Sequence, residues 1–330
     1  MNAYRKWIVQ VGSILAALTV SVSLANHFFF VEPVFNRPKL KLQPGTETLI
    51  IGASHAATAF DTTRFRHTES MAASGELVIF TAAKLEAVLG QNEGVQSVVM
   101  ALSPIHLSAR QDSLLLSANA GTRTTFIDNY AVLSKESRRL VAGWNSNYLL
   151  ARLKYDFGLP LGYTEDVRLY ASSLQGTLSA RDYRFWGAYR PSVGSHVGEK
   201  LDSKVIRKYF YLSGKHTKSD SGEALYGKSR IAEAQVRKIL EMGTSRGLRM
   251  ILVRTPETAR FRALVPPFFK ASFAALLREI QRDFPAVEYY DLSADLTEDS
   301  LFLDADHLNG RGSAIFSERF AARMGIAATR

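Results

Sequence analysis

The stretch Thr48-Leu49-Ile50-Ile51-Gly52-Ala53-Ser54-His55-Ala56-Ala57-Thr58-Ala59-Phe60-Asp61 decides the fold class. Thr48 to Ile51, four apolar or β-branched residues, read as a short buried strand. Gly52, Ala53, Ser54 and His55 then break the pattern. A small-residue turn directly after a buried strand lifts the next side chain out at the carboxyl end of the sheet, where open α/β sheets keep their ligands. Ser54 occupies that position. Taken alone it reads as a helix N-cap. A hydroxyl becomes a nucleophile only beside a base that a carboxylate orients. The far end of the chain offers both, in Asp304-Ala305-Asp306-His307-Leu308-Asn309.

Working outward, the same alternation continues. Residues 64 to 74 read as a loop that ends in Ala72-Ala73-Ser74-Gly75-Glu76. Helical periodicity follows from about Glu76 to Leu89, and Gly90 stops it. Val95 to Leu102 is a second buried strand, closed by Ser103-Pro104. Strand, helix, strand in this order is the signature of a parallel sheet. Order of the same kind returns at Tyr226: an amphipathic helix to about Ser245, a strand over Arg249 to Arg254, and a helix over Pro267 to Phe284. A last strand spans Val287 to Leu292, and a final helix starts near Gly312. Strands so apolar imply a sheet covered on both faces.

Between Ser108 and about Gly222 the regularity fades. Asp128 to Ala142 and Asn145 to Phe157 read as helical, but no strand–helix alternation appears, so the segment reads as a large insertion or cap. It carries Arg181-Asp182-Tyr183-Arg184-Phe185-Trp186-Gly187-Ala188-Tyr189-Arg190, where aromatic and arginine side chains interleave. Such a run can stack on sugar rings and pair with anions, or pack as a loop with snorkelling arginines. Arg184 and Trp186 are its candidates for substrate contact. Lys200, Lys204, Arg207, Lys208, Lys215 and Lys218 continue the basic character, which is also the pattern of a solvated face.

The chain opens with Arg5 and Lys6 ahead of Trp7 to Val31, 25 residues (7 through 31) without Asp, Glu, Lys or Arg. About 20 such residues suffice to cross the hydrocarbon core. Trp7 at one end and Phe28, Phe29 and Phe30 at the other suit the two interfaces. Basic residues before the span put the N-terminus in the cytoplasm and the remainder outside. Ser23-Leu24-Ala25 also resembles a signal-peptide cleavage site. The apolar run continues past it, so an uncleaved anchor is expected. Asn36 to Gly45 reads as a linker.

Composition bounds the chemistry. The 330 residues carry a net charge of +10, with 46% hydrophobic and 22% charged side chains, an ordinary globular balance. The positive charge favours phospholipid headgroups, acidic envelope polymers or nucleic acid, and an external domain rarely meets the last, so no nucleic-acid partner is expected. There is no cysteine, which excludes disulfides, thiolate catalysis and cysteine-based zinc sites. The seven histidines lack the paired spacing of a metal site, and no cofactor is expected.

The chemistry is assembled from the two ends. His307 is the expected general base, taking the Ser54 proton during attack on an ester carbonyl and returning it to the leaving alcohol. Asp304, three residues earlier, can accept a hydrogen bond from the other ring nitrogen and fix the tautomer. Asp306 ranks second, because an adjacent residue generally points elsewhere. The backbone N–H groups of Ser54 and Gly75 are the candidate oxyanion donors.

Ile51-Gly52-Ala53-Ser54-His55, the Ser74-Gly75-Glu76 loop and Asp304-Ala305-Asp306-His307-Leu308-Asn309 together resemble the SGNH/GDSL hydrolase superfamily. The resemblance covers the sheet domain, about Thr46 to Arg330 without the insertion. It implies a flavodoxin-like three-layer α/β/α sandwich with esterase or acyltransferase chemistry, with Ser54 as nucleophile, Gly75 as oxyanion donor, and Asp304 and His307 completing the triad. Two departures stand out. Ala53 replaces the Asp of the family's first block. Ala101-Leu102-Ser103-Pro104-Ile105-His106 replaces its G-x-N-D block, leaving Ser103 and His106, with His55 and Asn309, as candidates for oxyanion or substrate contacts. The expected division is an anchor over 1–35, sheet-domain parts over 46–107 and 223–330, and the insertion over 108–222.

The anchor and the His-Leu-Asn variant narrow the resemblance to extracytoplasmic members of bacterial envelope assembly, such as those of alginate O-acetylation and teichoic acid D-alanylation. Those work beside a multi-spanning membrane-bound O-acyltransferase. The implied function is a periplasmic, inner-membrane-anchored serine acyltransferase or acyl-esterase acting on hydroxyls of a cell-envelope polysaccharide. A non-catalytic scaffold of such a complex is the alternative.

Overall fold

In the computed structural model, residues 3–36, 40–116, 129–142, 147–157, 198–211 and 226–326 are described, with isolated positions 127, 169, 171, 172, 175, 186, 187, 189, 191, 193 and 194. The chain forms two compact units, one of residues 1–40 with 117–183 and one of residues 41–116 with 184–330.

The second unit holds a five-stranded, wholly parallel sheet: β1 (Thr48–Ile51), β2 (Thr68–Ser70), β3 (Ser97–Ala101), β4 (Arg249–Arg254) and β5 (Glu288–Asp291), in the order β2-β1-β3-β4-β5. Its helices are α1 (Ser54–Ala59), α2 (Val78–Leu89), α3 (Arg110–Leu116), α4 (Glu199–Phe210), α5 (Arg230–Thr244), α6 (Ala259–Leu264), α7 (Pro267–Asp283) and α8 (Gly310–Met324). The α/β class and the parallel sheet read from the sequence are therefore present.

β1 is buried along its whole length, as expected of a central strand with both faces covered. Alternate residues of the sheet, Ile50, Val99, Ala101, Ile251 and Val253, pack with Phe316, Phe320 and Met324 of α8 and with Phe60. Met250, one residue out of that register, meets Gly243 of α5, and Tyr289 stacks edge-on with Phe273 of α7. The core is rich in aromatics: Phe60 touches Phe316 and Phe320 at ring separations of 5.5 and 5.0 Å. Tilted or edge-on contacts of this kind add about 0.5–1.5 kcal/mol per pair beyond area burial.

β2 lies inside the stretch expected to be a loop. Thr-Glu-Ser is too short and too polar to show a strand period, yet it pairs with β1 from Thr48↔Thr68 to Ile50↔Ser70. At this edge position the buried Glu69 carboxylate accepts from Thr46 Oγ1 at 3.0 Å and from the Gln43 amide. A hydrogen-bonded carboxylate thus replaces the apolar side chain that a reading of periodicity requires.

α8 is fixed at both ends. Asn309 caps it, its Oδ1 accepting from the amides of Arg311 (3.1 Å) and Gly312 (3.0 Å), and Gly325 closes it in the left-handed conformation. A Cβ at Gly312 would overlap the Leu301 carbonyl oxygen. Backbone cannot retreat as a flexible side chain can, so Gly312→Ala is expected to cost about 2–3 kcal/mol through overpacking. Thermal unfolding of the full-length protein in detergent checks this; an unchanged midpoint would show that the close approach is not needed.

In the first unit, a helix over Ala3–Asn26 continues as a π-helix over His27–Asn36. Within Ala3–Phe29 the most apolar 18-residue window has a mean hydropathy of 2.0, and none of it is buried. This helix is long and apolar enough to span a membrane. Two further helices, Lys135–Ala142 and Asn147–Tyr155, fall where helical pattern was read. Tyr130 lies between them, stacked on Tyr155 at 5.7 Å and covered by the Arg138 guanidinium at 4.4 Å.

Candidate active site

The site begins where β1 ends. Gly52 adopts φ +130°, and a Cβ there would press on Ala56 Cβ at 3.3 Å and the Ala101 carbonyl at 3.4 Å. Only glycine allows this turn without strain. It releases the chain into α1, with Ala53 at the N-cap and Ser54 as the first helical residue. Ser54 is not the cap, so its hydroxyl is free for another partner. The order of strands reverses between β1 and β3, the crevice where ligands of open α/β sheets bind.

The partner is His307. Its Nε2 lies 2.8 Å from Ser54 Oγ, and its Nδ1 lies 2.8 Å from Asp304 Oδ1. The same carboxylate oxygen accepts from the backbone amides of Asp306 (3.1 Å) and His307 (2.9 Å). Asp304 therefore curls its own loop while it orients the ring. A second anchor holds the loop from behind: Ala305 O accepts from the Thr258 amide at 3.1 Å and hydroxyl at 3.0 Å.

Asp306 departs from expectation. The curl around Asp304 turns its side chain inward, where Oδ1 stands 3.3 Å from His307 Nδ1 and Oδ2 is 3.0 Å from His55 Nε2. Two carboxylates thus face one imidazole. Burial works against a charge on His307, but Asp306 and Asp304 outweigh it and raise its pKa to about 10. Burial pushes Asp306 the other way, yet His307 and His55 hold it well below the usual carboxylate range. The sign for stability follows: a raised imidazole pKa contributes stability in full below the unfolded value near 6.5, and loses it as pH climbs through about 10.

The remaining candidates occupy varied positions. His55 is buried, stacked on His307 at 4.8 Å and 16° between planes. Ser103 and His106 are both buried; His106 Nδ1 accepts from the Ser103 amide at 3.0 Å, closing the 3₁₀ turn Pro104–Leu107. Burial, then the neighbouring His55, brings the His106 pKa down to about 3, so its ring is neutral. Asn309 is engaged as the α8 cap, with Nδ2 donating to Ser300 O at 2.7 Å and Gly194 O at 3.1 Å. These four side chains are held by protein rather than presented to a ligand. Their polarity in an otherwise apolar run was legible; their partners, 3 to 251 residues away, were not.

Gly75 adopts φ +74° in the loop after β2. That loop is tied to the turn before Ser54 where the Ala73 amide donates to Gly52 O at 3.1 Å. Trp186 is buried, and the adjoining Gly187 lies so close to the Ala72 carbonyl that no Cβ fits between them. Arg184 falls outside the described residues. A pair the sequence did not single out supports the same loop. Lys84 of α2, fully buried, donates to Met71 O at 2.8 Å and pairs with the buried Glu76 carboxylate.

Chemically, a hydroxyl on an imidazole on a carboxylate is a nucleophile with its base. His55, Asp306 and His307 also place one donor atom each within 4.8 Å of one another. Both His307 nitrogens and one Asp306 oxygen already have protein hydrogen-bond partners, so the donor set is committed to the hydrogen-bonded arrangement. No protein-family model matches the chain, and no curated protein matches it.

Proposed function

We propose that the protein is a serine esterase or O-acyltransferase of the SGNH/GDSL kind. The observation that carries this reading is the Ser54–His307–Asp304 chain, two contacts of 2.8 Å, the first of which joins residues 253 positions apart. Ser54 Oγ attacks an ester carbonyl as His307 Nε2 takes its proton. The alkoxy group leaves with that proton, giving an acyl-Ser54. Water, or a sugar hydroxyl, then gives up its proton to His307 and takes the acyl group. Asp304 holds the reactive tautomer and balances the imidazolium. The amides of Ser54 and Gly75 are assigned to the tetrahedral oxyanion.

The 2-1-3-4-5 strand order, with the nucleophile at the β1–β3 reversal, supports a flavodoxin-like three-layer sandwich carrying a large mid-chain insertion. Arg5 and Lys6 ahead of the apolar helix support an N-terminus in the cytoplasm and an extracytoplasmic, periplasmic catalytic unit. That compartment, the positive charge and the SGNH resemblance together favour hydroxyls of an acidic cell-envelope polysaccharide as acceptor, with a multi-spanning O-acyltransferase as acyl-donating partner. A scaffold without catalysis is the reading favoured by Ser103 and His106, which stand in place of the family's oxyanion Asn yet bond to each other.

The test is labelling of the full-length protein in detergent by a fluorophosphonate, with turnover of an aryl acetate alongside. Wild type is expected to label and turn over, and Ser54→Ala to do neither. Full aryl acetate turnover by Ser54→Ala would end the serine reading, and an unlabelled, inactive but folded wild type would favour the scaffold.

A further inference from the structure

The mechanism above uses Ser54, His307 and Asp304, and leaves the residue beside each partner unexplained. His55 follows the nucleophile directly and Asp306 precedes the base directly. Both are buried, and they bond to each other at 3.0 Å. The two contacts, 54 to 307 and 55 to 306, thus lie side by side and bridge the same two backbone segments. The first is only part-buried and, on the serine reading, is the reactive one. The other is enclosed and uses a charged acceptor, the stronger kind of hydrogen bond.

We propose, on the basis of the serine-enzyme reading, that His55 and Asp306 are positioning residues whose buried pair acts as a cross-brace, setting the distance and ring plane of His307 against Ser54. Three features of the geometry support this. Asp306 spans both rings, with one oxygen on His55 Nε2 and the other 3.3 Å from His307 Nδ1. The His55 ring lies flat on the His307 ring at 4.8 Å and limits its rotation. Behind His55, His106 stands edge-on at 5.6 Å, so the stack is backed by protein. His55 Nδ1 is buried and has no hydrogen-bond partner among the described residues, so among them the pairing with Asp306 is this ring's polar tether.

The second carboxylate also sets when the base is available. An imidazolium cannot accept the Ser54 proton, so the competent fraction grows with pH toward about 10, the His307 value. Removing the Asp306 charge should bring that limb toward acid by about one to three units, the usual effect of one close opposite charge. Among the described residues, the other ionisable groups that interact with this cluster are Asp304 in the same loop, His106 after β3, Tyr209 and Asp202 of α4, and Glu257, paired with Arg254, after β4. They are unchanged in the variants below.

The experiment follows the rate of fluorophosphonate labelling against pH for full-length wild type, Asp306→Asn, His55→Gln and His55→Leu in detergent. The His307 ring is titrated in parallel by NMR on ¹⁵N-histidine-labelled protein. Asp306→Asn is expected to shift both the labelling limb and the ring titration toward acid. His55→Leu is expected to label about 10- to 100-fold more slowly, whereas His55→Gln, which can still donate to Asp306, should stay within a few-fold of wild type. Unshifted profiles in Asp306→Asn, or equal labelling by His55→Leu and wild type, would overturn the brace. The NMR arm needs no activity. Should wild type fail to label, the serine reading fails, and a His307 titration unmoved by Asp306→Asn would still count against the brace.

Discussion

Replacing Asp304 with Asn is expected to lower ester turnover about 10³-fold with little loss of folded protein. A triad carboxylate exchanged for an amide typically costs about 10⁴ in kcat, because the imidazole is left in the wrong tautomer and its cation uncompensated. Here the loss should be smaller. Asp306 keeps a negative charge 3.3 Å from the same nitrogen, although without the 2.8 Å hydrogen bond that Asp304 makes. The double variant Asp304→Asn/Asp306→Asn should then show the full loss. Asn at 304 can still accept from the amides of residues 306 and 307 through its side-chain oxygen, so the loop should survive. Turnover by Asp304→Asn within tenfold of wild type would show that Asp304 is not the orienting carboxylate.

The largest stability effect is expected at Lys84→Met. Met matches the stem of the lysine but leaves the Glu76 carboxylate buried without its partner, and breaking a buried pair in this way costs about 3–5 kcal/mol. Burial raises the Glu76 pKa even with Lys84 partly offsetting it; without the lysine the carboxyl gains still more from protonation. The deficit is therefore greatest above the ordinary Glu range and shrinks as pH falls and Glu76 becomes neutral. Lys84→Met/Glu76→Gln should recover most of the loss, since the remaining amide can still meet Thr81, which now donates to Glu76 at 2.6 Å. Thermal unfolding of both variants at two pH values checks this. A single variant as stable as wild type would remove the pair from the account of the loop. Because Lys84 grips Met71 O at one end of the loop and Glu76 at the other, the single variant should also slow labelling at Ser54.

How much of this was legible differs from element to element. Thr48 to Ile51 and Arg249 to Arg254 announce themselves because a strand covered on both faces must be apolar throughout, and observed β4 coincides with the stretch read. Gly52 and Ser54 were visible because so few residues fit a turn of positive φ. His307 and Asp304 were visible because three positions within one loop bring the two side chains together. β2 was hidden, since its stability comes from β1 and from a carboxylate satisfied by a preceding turn, not from its own composition. The bond between His55 and Asp306 was hidden for a different reason: 251 residues separate them, and neither neighbourhood encodes the other. Lys84 was hidden most thoroughly. In an apolar helix such as Val78–Leu89 a lone lysine reads as the exposed residue, and only tertiary packing reveals it as fully buried.

Ser54 sits after the first strand of the sheet and His307 after the last, 253 residues further on. At roughly 5–20 residues per second, a ribosome releases the alcohol about 13 to 50 s before the imidazole that activates it. Throughout that interval the growing chain carries an ordinary, unreactive serine. On the serine reading proposed above, activation of the alcohol therefore waits for the end of synthesis, and a nascent chain truncated before β5 and α8 would be chemically inert.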